Sequence, residues 1–338
     1  MPTPQIPMSE HQPIFFRDSL LPITSRGIEV GIRLLNVHLE FGDEDREMVF
    51  NHLIDGGSIL MISNHRSHID EGILINDVIG QFQGWVQEIA AIAGTKLYPD
   101  YYHNLDLPPE QIKTILIEFA GQIEAHRQSA NRTEGSLLRA MAARLGVTLI
   151  PIVQEENLGE GEWGRLNRSL SVNAMDAFER IMYRRRSVGF FYLEGGRTDD
   201  AGAILAKAGL NRFIKRHSSN GMRDHVLFLP VGIEGSAAVW PKHSPPTNLR
   251  APVHVRVGPP FFPSEIASDF ELVKKLLPED VATVDPKKGK LVRLQDLLMG
   301  RILDLLPTKY WGQYLENKPF MQYWHRLKEV KRPTHRTR

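Results

Sequence analysis

Two short segments of the chain carry residue types that can do chemistry. In Asn64-His65-Arg66-Ser67-His68-Ile69-Asp70, a histidine and an aspartate stand with four residues between them. An imidazole titrates near about pH 6.5 when unperturbed, so its neutral form can accept a proton, and a carboxylate bonded to the other ring nitrogen fixes the tautomer. This pairs a base with the group that orients it. The sequence contains no cysteine, which excludes thiolate nucleophiles, thiolate metal sites and disulfides. A protein nucleophile is not needed if the attacking hydroxyl belongs to the substrate, because removal of its proton makes that hydroxyl reactive.

The second segment is Glu194-Gly195-Gly196-Arg197-Thr198, with Lys207 nine residues beyond Thr198. Paired glycines let backbone N–H groups approach a phosphate closely, and the planar, always charged Arg197 fork suits the same anion. Backbone N–H groups at the Gly195-Gly196 turn are also candidates for stabilising an oxyanion.

Both segments follow apolar runs with strand composition. Ser58–Ser63, after Gly56-Gly57, predicts a buried strand that ends where Asn64 begins, and Ser187–Leu193 predicts another that ends at Glu194. Further runs at 147–153 and 226–233 and an alternating one at 253–257 extend the series. Between them, apolar residues recur at helical spacing: Ile112, Leu116, Phe119 and Ile123; Leu137, Leu138, Met141 and Leu145; Leu166, Leu170 and Phe178. Strands separated by helices predict an α/β fold, a mostly parallel mixed sheet flanked by helices, because a parallel crossover needs a long connection. Ligands of such sheets collect beyond the carboxyl ends of the strands. The geometry required is that His65 and the turn at Glu194 open onto one crevice.

Around this core, predicted to run from 50 to 262, the sequence expects two appendages. Residues 1–49 hold a Pro-rich start and Ile28, Ile32, Leu35 and Leu39 at helical spacing, which predicts an amphipathic helix from about Ser25 to Glu40. Asp43, Glu44 and Asp45 read as a solvated helix start. Residues 263–338 predict a helical extension with a basic tail. Its aromatic stretch, Tyr310, Trp311, Tyr314, Phe320, Tyr323 and Trp324, has the makeup of an interfacial anchor or of a helix packed on the core.

The three pieces Asn-His-x4-Asp, Glu-Gly-Gly-Arg-Thr and Leu229-Pro-Val-Gly-Ile233, in this order, resemble the first, third and fourth sequence blocks of the glycerolipid acyltransferase family. That family includes glycerol-3-phosphate and lysophosphatidate acyltransferases, and the likeness spans about residues 50 to 260. It implies that His65 is the catalytic base and Asp70 its partner. It also implies that Glu194, Gly195, Gly196 and Arg197 hold the phosphate of the acceptor, with Lys207 matching a lysine that the family places after that block. The donor would be acyl-CoA or acyl carrier protein, the acceptor glycerol-3-phosphate or 1-acylglycerol-3-phosphate, and no cofactor is implied. The wording of the blocks is slightly closer to the glycerol-3-phosphate enzymes. The family's second block usually carries an Arg after the strand ending Ile150-Pro-Ile-Val153, whereas this chain has Gln154, Glu155 and Glu156; Arg165 or Arg168 are candidate replacements.

Other readings of the same residues are a metal-dependent hydrolase built on His65, His68 and Asp70, a merely structural Glu194, and a non-catalytic lipid-surface binding protein. Arg184, Arg185 and Arg186 read as a solvated face before a strand. The basic tail lacks a recognition fold for nucleic acid. The N-terminus lacks the pattern of a secretory signal, and no apolar run approaches the roughly 20 residues of a membrane-spanning helix. The expected place is the cytoplasm, peripheral on the inner face of the membrane.

Overall fold

A computed structural model of the chain describes residues 35–67, 69–82, 84–197, 202–219, 225–242, 247–276 and 293–331. They build an α/β fold around one seven-stranded sheet in the order β1-β7-β6-β2-β5-β3-β4. The strands are β1 (Asn36–Phe41), β2 (Ser58–Ser63), β3 (Glu88–Gly94), β4 (Val147–Ile152), β5 (Ser187–Tyr192), β6 (Val226–Glu234) and β7 (Pro252–Val257). Neighbours pair in parallel except β6 with β7, so β1 and β7 run against the other five.

The central strands are apolar throughout because both of their faces are covered. In β2, Leu60 and Ile62 face one buried cluster while Ile59 and Met61 face another. The longer helices are α1 (Asp43–Ile54), α2 (Pro109–Glu118), α3 (Ala120–Ser129), α4 (Arg132–Leu145), α5 (Gly161–Met182), α6 (Asn211–Ser219), α7 (Pro263–Leu276), α8 (Leu294–Leu303) and α9 (Lys318–Lys331). Phe178 and Met182 of α5, Phe213 of α6, Leu297 of α8 and Phe320 of α9 join the first cluster; Val49 and Leu53 of α1 join the second. As expected, the acidic run Asp43–Asp45 forms the first turn of α1, where carboxylates suit the helix dipole.

Two expectations need correction. Residues 36–41 form an edge strand rather than the end of a helix: Val37, Leu39 and Phe41 pack on the second cluster while Asn36, His38 and Glu40 are exposed, a period of two. The part of the expected helix before residue 35 lies outside the described residues. The core therefore begins before residue 50.

Of the two readings left open for the C-terminal aromatics, packing on the core is the one observed. Tyr314, Phe320 and Tyr323 are fully buried and Trp311 and Trp324 nearly so, inside the cluster that also holds Leu60 and Phe228 of the sheet. Their rings are spent on packing, not offered to a lipid interface, and α8 and α9 share one core with the sheet. The tail beyond residue 331 lies outside the described residues. The second correction is that the apolar spacing from Ile112 to Ile123 belongs to two helices, α2 and α3, which meet at Phe119.

Candidate active site

Strands β2, β5, β6, β3 and β4 all end on the same edge of the sheet, and β2 and β5 are neighbours in register from Ile59↔Val188 to Ser63↔Tyr192. The residues just beyond these two ends are thereby forced together. His65 donates its backbone N–H to Oε2 of Glu194 at 2.9 Å. Asn64 clamps the other side: its amide donates to the Ile233 carbonyl and accepts from the Ile233 N–H, both at 2.8 Å. His65 is thus held between β5 and β6 by bonds that only a rigid strand end can supply.

The His65 ring is oriented by three contacts. Its Nδ1 lies 3.0 Å from Oδ2 of Asp70, and its face stacks on Tyr192 at a centroid distance of 4.0 Å. Nε2 lies 3.7 Å from Oε1 of Glu71, too far for a hydrogen bond. The geometry leaves Nε2 as the nitrogen that can take a proton. Asp70 opens a short helix, Asp70–Ile73, and its Oδ2 also accepts the N–H groups of Arg66 at 2.7 Å and Ser67 at 2.8 Å. Burial pushes the Asp70 carboxyl upward, yet the bond and charge of His65, with help from Ser236 and the Arg66 N–H, outweigh it and leave its pKa below the ordinary value. The carboxylate therefore stays charged and points the imidazole.

Glu194 has a different job from the one expected of it. It is 1% exposed, and its oxygens accept from the His65 N–H, from the Ile204 N–H at 3.2 Å and from Arg66, whose guanidinium is 3.2 Å away. A carboxylate so committed braces the two loops and does not face an acceptor's phosphate, which it would repel in any case. Burial pushes its pKa up against the pull of Arg66 and of the two N–H groups. Arg66 also reaches the Gly202 carbonyl at 3.2 Å, tying the loop after β5 to the loop after β2.

Gly195 makes the turn at φ 71°, a value that L side chains rarely adopt, and its N–H is spent on the Tyr192 carbonyl at 3.1 Å. That donor is thus withdrawn from any oxyanion. Gln154 donates its amide to the Gly195 carbonyl, so the residue standing where the family's second-block Arg is usual supports the turn. Arg165 pairs with Glu162 on its own helix. Lys207 also returns to this turn, because a Cβ on Gly195 would stand 2.9 Å from the Lys207 Cγ. Its Nζ reaches Glu155 at 3.4 Å. Arg197 donates to the Lys242 carbonyl at 3.3 Å and lies close enough to Glu71 to draw that carboxyl's pKa downward. His65, Asp70, Gly195, Gly196, Arg197 and Lys207 thus gather on one edge, with Glu194 beneath them. His68 and Thr198 lie outside the described residues.

Sequence reasoning overlooked Glu71, Arg66 and Tyr192. Glu71 and Arg66 lie within or directly beside the His-x4-Asp motif, and Tyr192 is the last residue of β5, where the strand register forces it next to Ser63. A charged residue directly after the motif's Asp is the signal that was available.

Comparison with protein-family models and with curated proteins returns no match.

Proposed function

We propose that the chain is an O-acyltransferase that moves a fatty acyl group from a thioester carrier, coenzyme A or acyl carrier protein, to a hydroxyl of a glycerol phosphate. The observation that carries this reading is the part-buried His65–Asp70 pair at 3.0 Å, with Nε2 3.7 Å from Glu71 and the His65 backbone joined through Glu194 to the turn that holds Arg197. His65 takes the proton of the acceptor hydroxyl as its oxygen attacks the thioester carbonyl. The imidazolium, stabilised by the Asp70 carboxylate, then returns a proton to the departing thiolate. Arg197 is the cation that would hold the phosphate, with Lys207 behind the same turn; both match the family's positions. With Glu194 enclosed, that task falls to cations alone. The blocks lean toward glycerol-3-phosphate as acceptor.

The metal reading would need His68, which lies outside the described residues, while Oδ2 of Asp70 serves Nδ1 and two backbone N–H groups. Among the described residues no group of three His, Asp or Glu side chains is arranged to hold a metal ion, and none of their helices is long and apolar enough to cross a membrane. Action at the inner face of a membrane would use the basic residues of α9 rather than its buried aromatics.

The test is thioester consumption by the purified chain with glycerol-3-phosphate, 1-acylglycerol-3-phosphate and dihydroxyacetone phosphate offered in parallel, with and without chelator. The expected result is thiol release that depends on one of these acceptors and is unchanged by chelator. Thiol release abolished by chelator would establish the metal hydrolase instead, and binding to anionic vesicles without any thiol release would establish the binding protein.

A further inference from the structure

Residues 202–207 form a strap with no helix or strand of their own, yet all five N–H groups from Ala203 to Lys207 are donated. Three go to the C-terminal segment: Ala203 to the Tyr310 carbonyl at 2.8 Å, Leu205 to Oε1 of Gln313 at 3.2 Å and Ala206 to the Tyr314 hydroxyl at 2.9 Å. The Ala203 carbonyl in turn accepts from the Gln313 N–H at 2.9 Å. The other two go toward the site, Ile204 to Oε1 of Glu194 at 3.2 Å and Lys207 to the Leu193 carbonyl at 2.7 Å. A backbone without a ladder takes its path from whatever accepts its N–H groups, so the strap is shaped between the end of β5 and residues 310–314. The two sides meet backbone to backbone: a Cβ on Gly202 would stand 2.7 Å from Cα of Gly312, which itself turns at φ 49°.

Tyr314 is the most deeply anchored member of this contact. Its ring is fully buried, 4.8 Å from that of Phe320. Its hydroxyl accepts from Ala206 and donates to Oδ1 of Asp296, both at 2.9 Å. Asp296 is fully buried too, and the Arg293 N–H and guanidinium each hold it at 2.8 Å. One chain of bonds thus runs from the first turn of α8 through Tyr314 to the residue before Lys207, whose side chain returns to the Gly195 turn.

We infer that Tyr314 is a positioning residue for the acceptor site: through Ala206 its hydroxyl fixes the place of Lys207 behind the Gly195 turn, which makes the C-terminal extension a working part of the site. This rests on the acyl-transfer reading above, in which Arg197 and Lys207 hold the acceptor's phosphate. His65 keeps its own supports in Asp70 and Glu194, with Asn64 clamping the strand end before it. Loss of the Tyr314 hydroxyl therefore loosens the grip on the acceptor and spares the chemical step.

The test is a double-mutant cycle of Tyr314→Phe and Lys207→Ala in steady-state kinetics, with a long-chain acyl-CoA and glycerol-3-phosphate, and far-UV circular dichroism as a control of folding. Phenylalanine keeps the ring in the core and removes only the hydroxyl. Lys207→Ala is expected to raise KM for glycerol-3-phosphate about tenfold and Tyr314→Phe about fivefold, with kcat and KM for acyl-CoA within about twofold of wild type. The double variant should match Lys207→Ala within about twofold, because the hydroxyl acts through a side chain already gone. If Tyr314→Phe fails to fold, the same cycle with Gln313→Ala decides, since that exposed side chain can be removed without opening the core. Its expected rise in KM is about threefold, and it disappears in the Lys207→Ala background. An unchanged KM in either single variant of the cycle, effects that multiply in the double variant, or a fall in kcat with KM kept would each overturn the inference while leaving the acyltransferase reading intact. A wild type that consumes no thioester with any acceptor would overturn that reading and the inference with it.

Discussion

The two edges of the sheet each hold a histidine, part-buried at one and fully buried at the other, and the two are held in opposite ways. At the carboxyl edge, His65 has a carboxylate on Nδ1, a carboxyl facing Nε2 and its backbone tied to Glu194. At the amino edge, His217 of α6 is fully buried, and neither of its ring nitrogens has a hydrogen-bond partner among the described residues. It lies between the rings of Phe213, 4.0 Å away, and Tyr183, 4.9 Å away, with His225 beyond Tyr183. Glu179 stands 3.8 Å from its Nε2 but is engaged by Arg216 at 2.6 Å. The same residue type is therefore oriented by a carboxylate at one edge and packed among rings, with no hydrogen bond to its ring nitrogens among the described residues, at the other. Under the proposed function, it is the partner on the second nitrogen, not burial, that sets His65 apart from His217.

Four changes break or sharpen this contrast, taken from the largest effect to the smallest. Asp70→Asn should lower kcat by about 10²–10³-fold, because the imidazole loses both its fixed tautomer and the charge that stabilises its protonated form. Circular dichroism should show the fold intact, since an amide oxygen can still accept from Arg66 and Ser67. Glu194→Gln should cost about 3–5 kcal/mol of unfolding free energy by denaturant titration, as it removes one partner of the buried Arg66–Glu194 pair. It should also impair transfer by loosening the loop of His65.

The third change is pH. Burial, with the charges of His225 and Arg216, lowers the His217 pKa from 6.5 to about 4, so the folded state binds this proton less readily than the unfolded chain. Its stabilising contribution is complete above about pH 6.5 and is lost as pH falls toward about 4, where the loss approaches about 3 kcal/mol. Urea titrations at pH 7 and pH 4.5 measure it, and His217→Leu should flatten the difference while leaving thioester consumption near wild type. The smallest effect belongs to the Lys207–Glu155 pair, half exposed at 3.4 Å: Glu155→Ala should change stability by less than about 1 kcal/mol.

Much of this architecture is legible in the residues. Strands β2, β5 and β6 are short apolar runs bounded by turn residues, and their parallel order places whatever follows them on one edge, which is how His65 and Glu194 come within hydrogen-bond reach. Strand β1 was harder to read, since Leu35 and Leu39 fit helical spacing as well as Val37, Leu39 and Phe41 fit a period of two. Strand β3, with its alanines at 90, 91 and 93, has little β propensity of its own and forms because β4 and β5 flank it. Composition cannot tell aromatic rings buried in a core from rings laid on a membrane, which is why Tyr314, Phe320 and Trp324 allowed both readings. The role of Glu194 needed coordinates, because only distances show that its oxygens are taken by Arg66 and two N–H groups.

In the proposed transfer Nε2 of His65 receives a proton from an acceptor hydroxyl, and a direct measurement is thiol release from a long-chain acyl-CoA with glycerol-3-phosphate, by wild type and His65→Ala at equal concentration. The prediction is acceptor-dependent release by the wild type that falls at least about 10³-fold in a folded His65→Ala variant. Release that persists undiminished in that variant would contradict it.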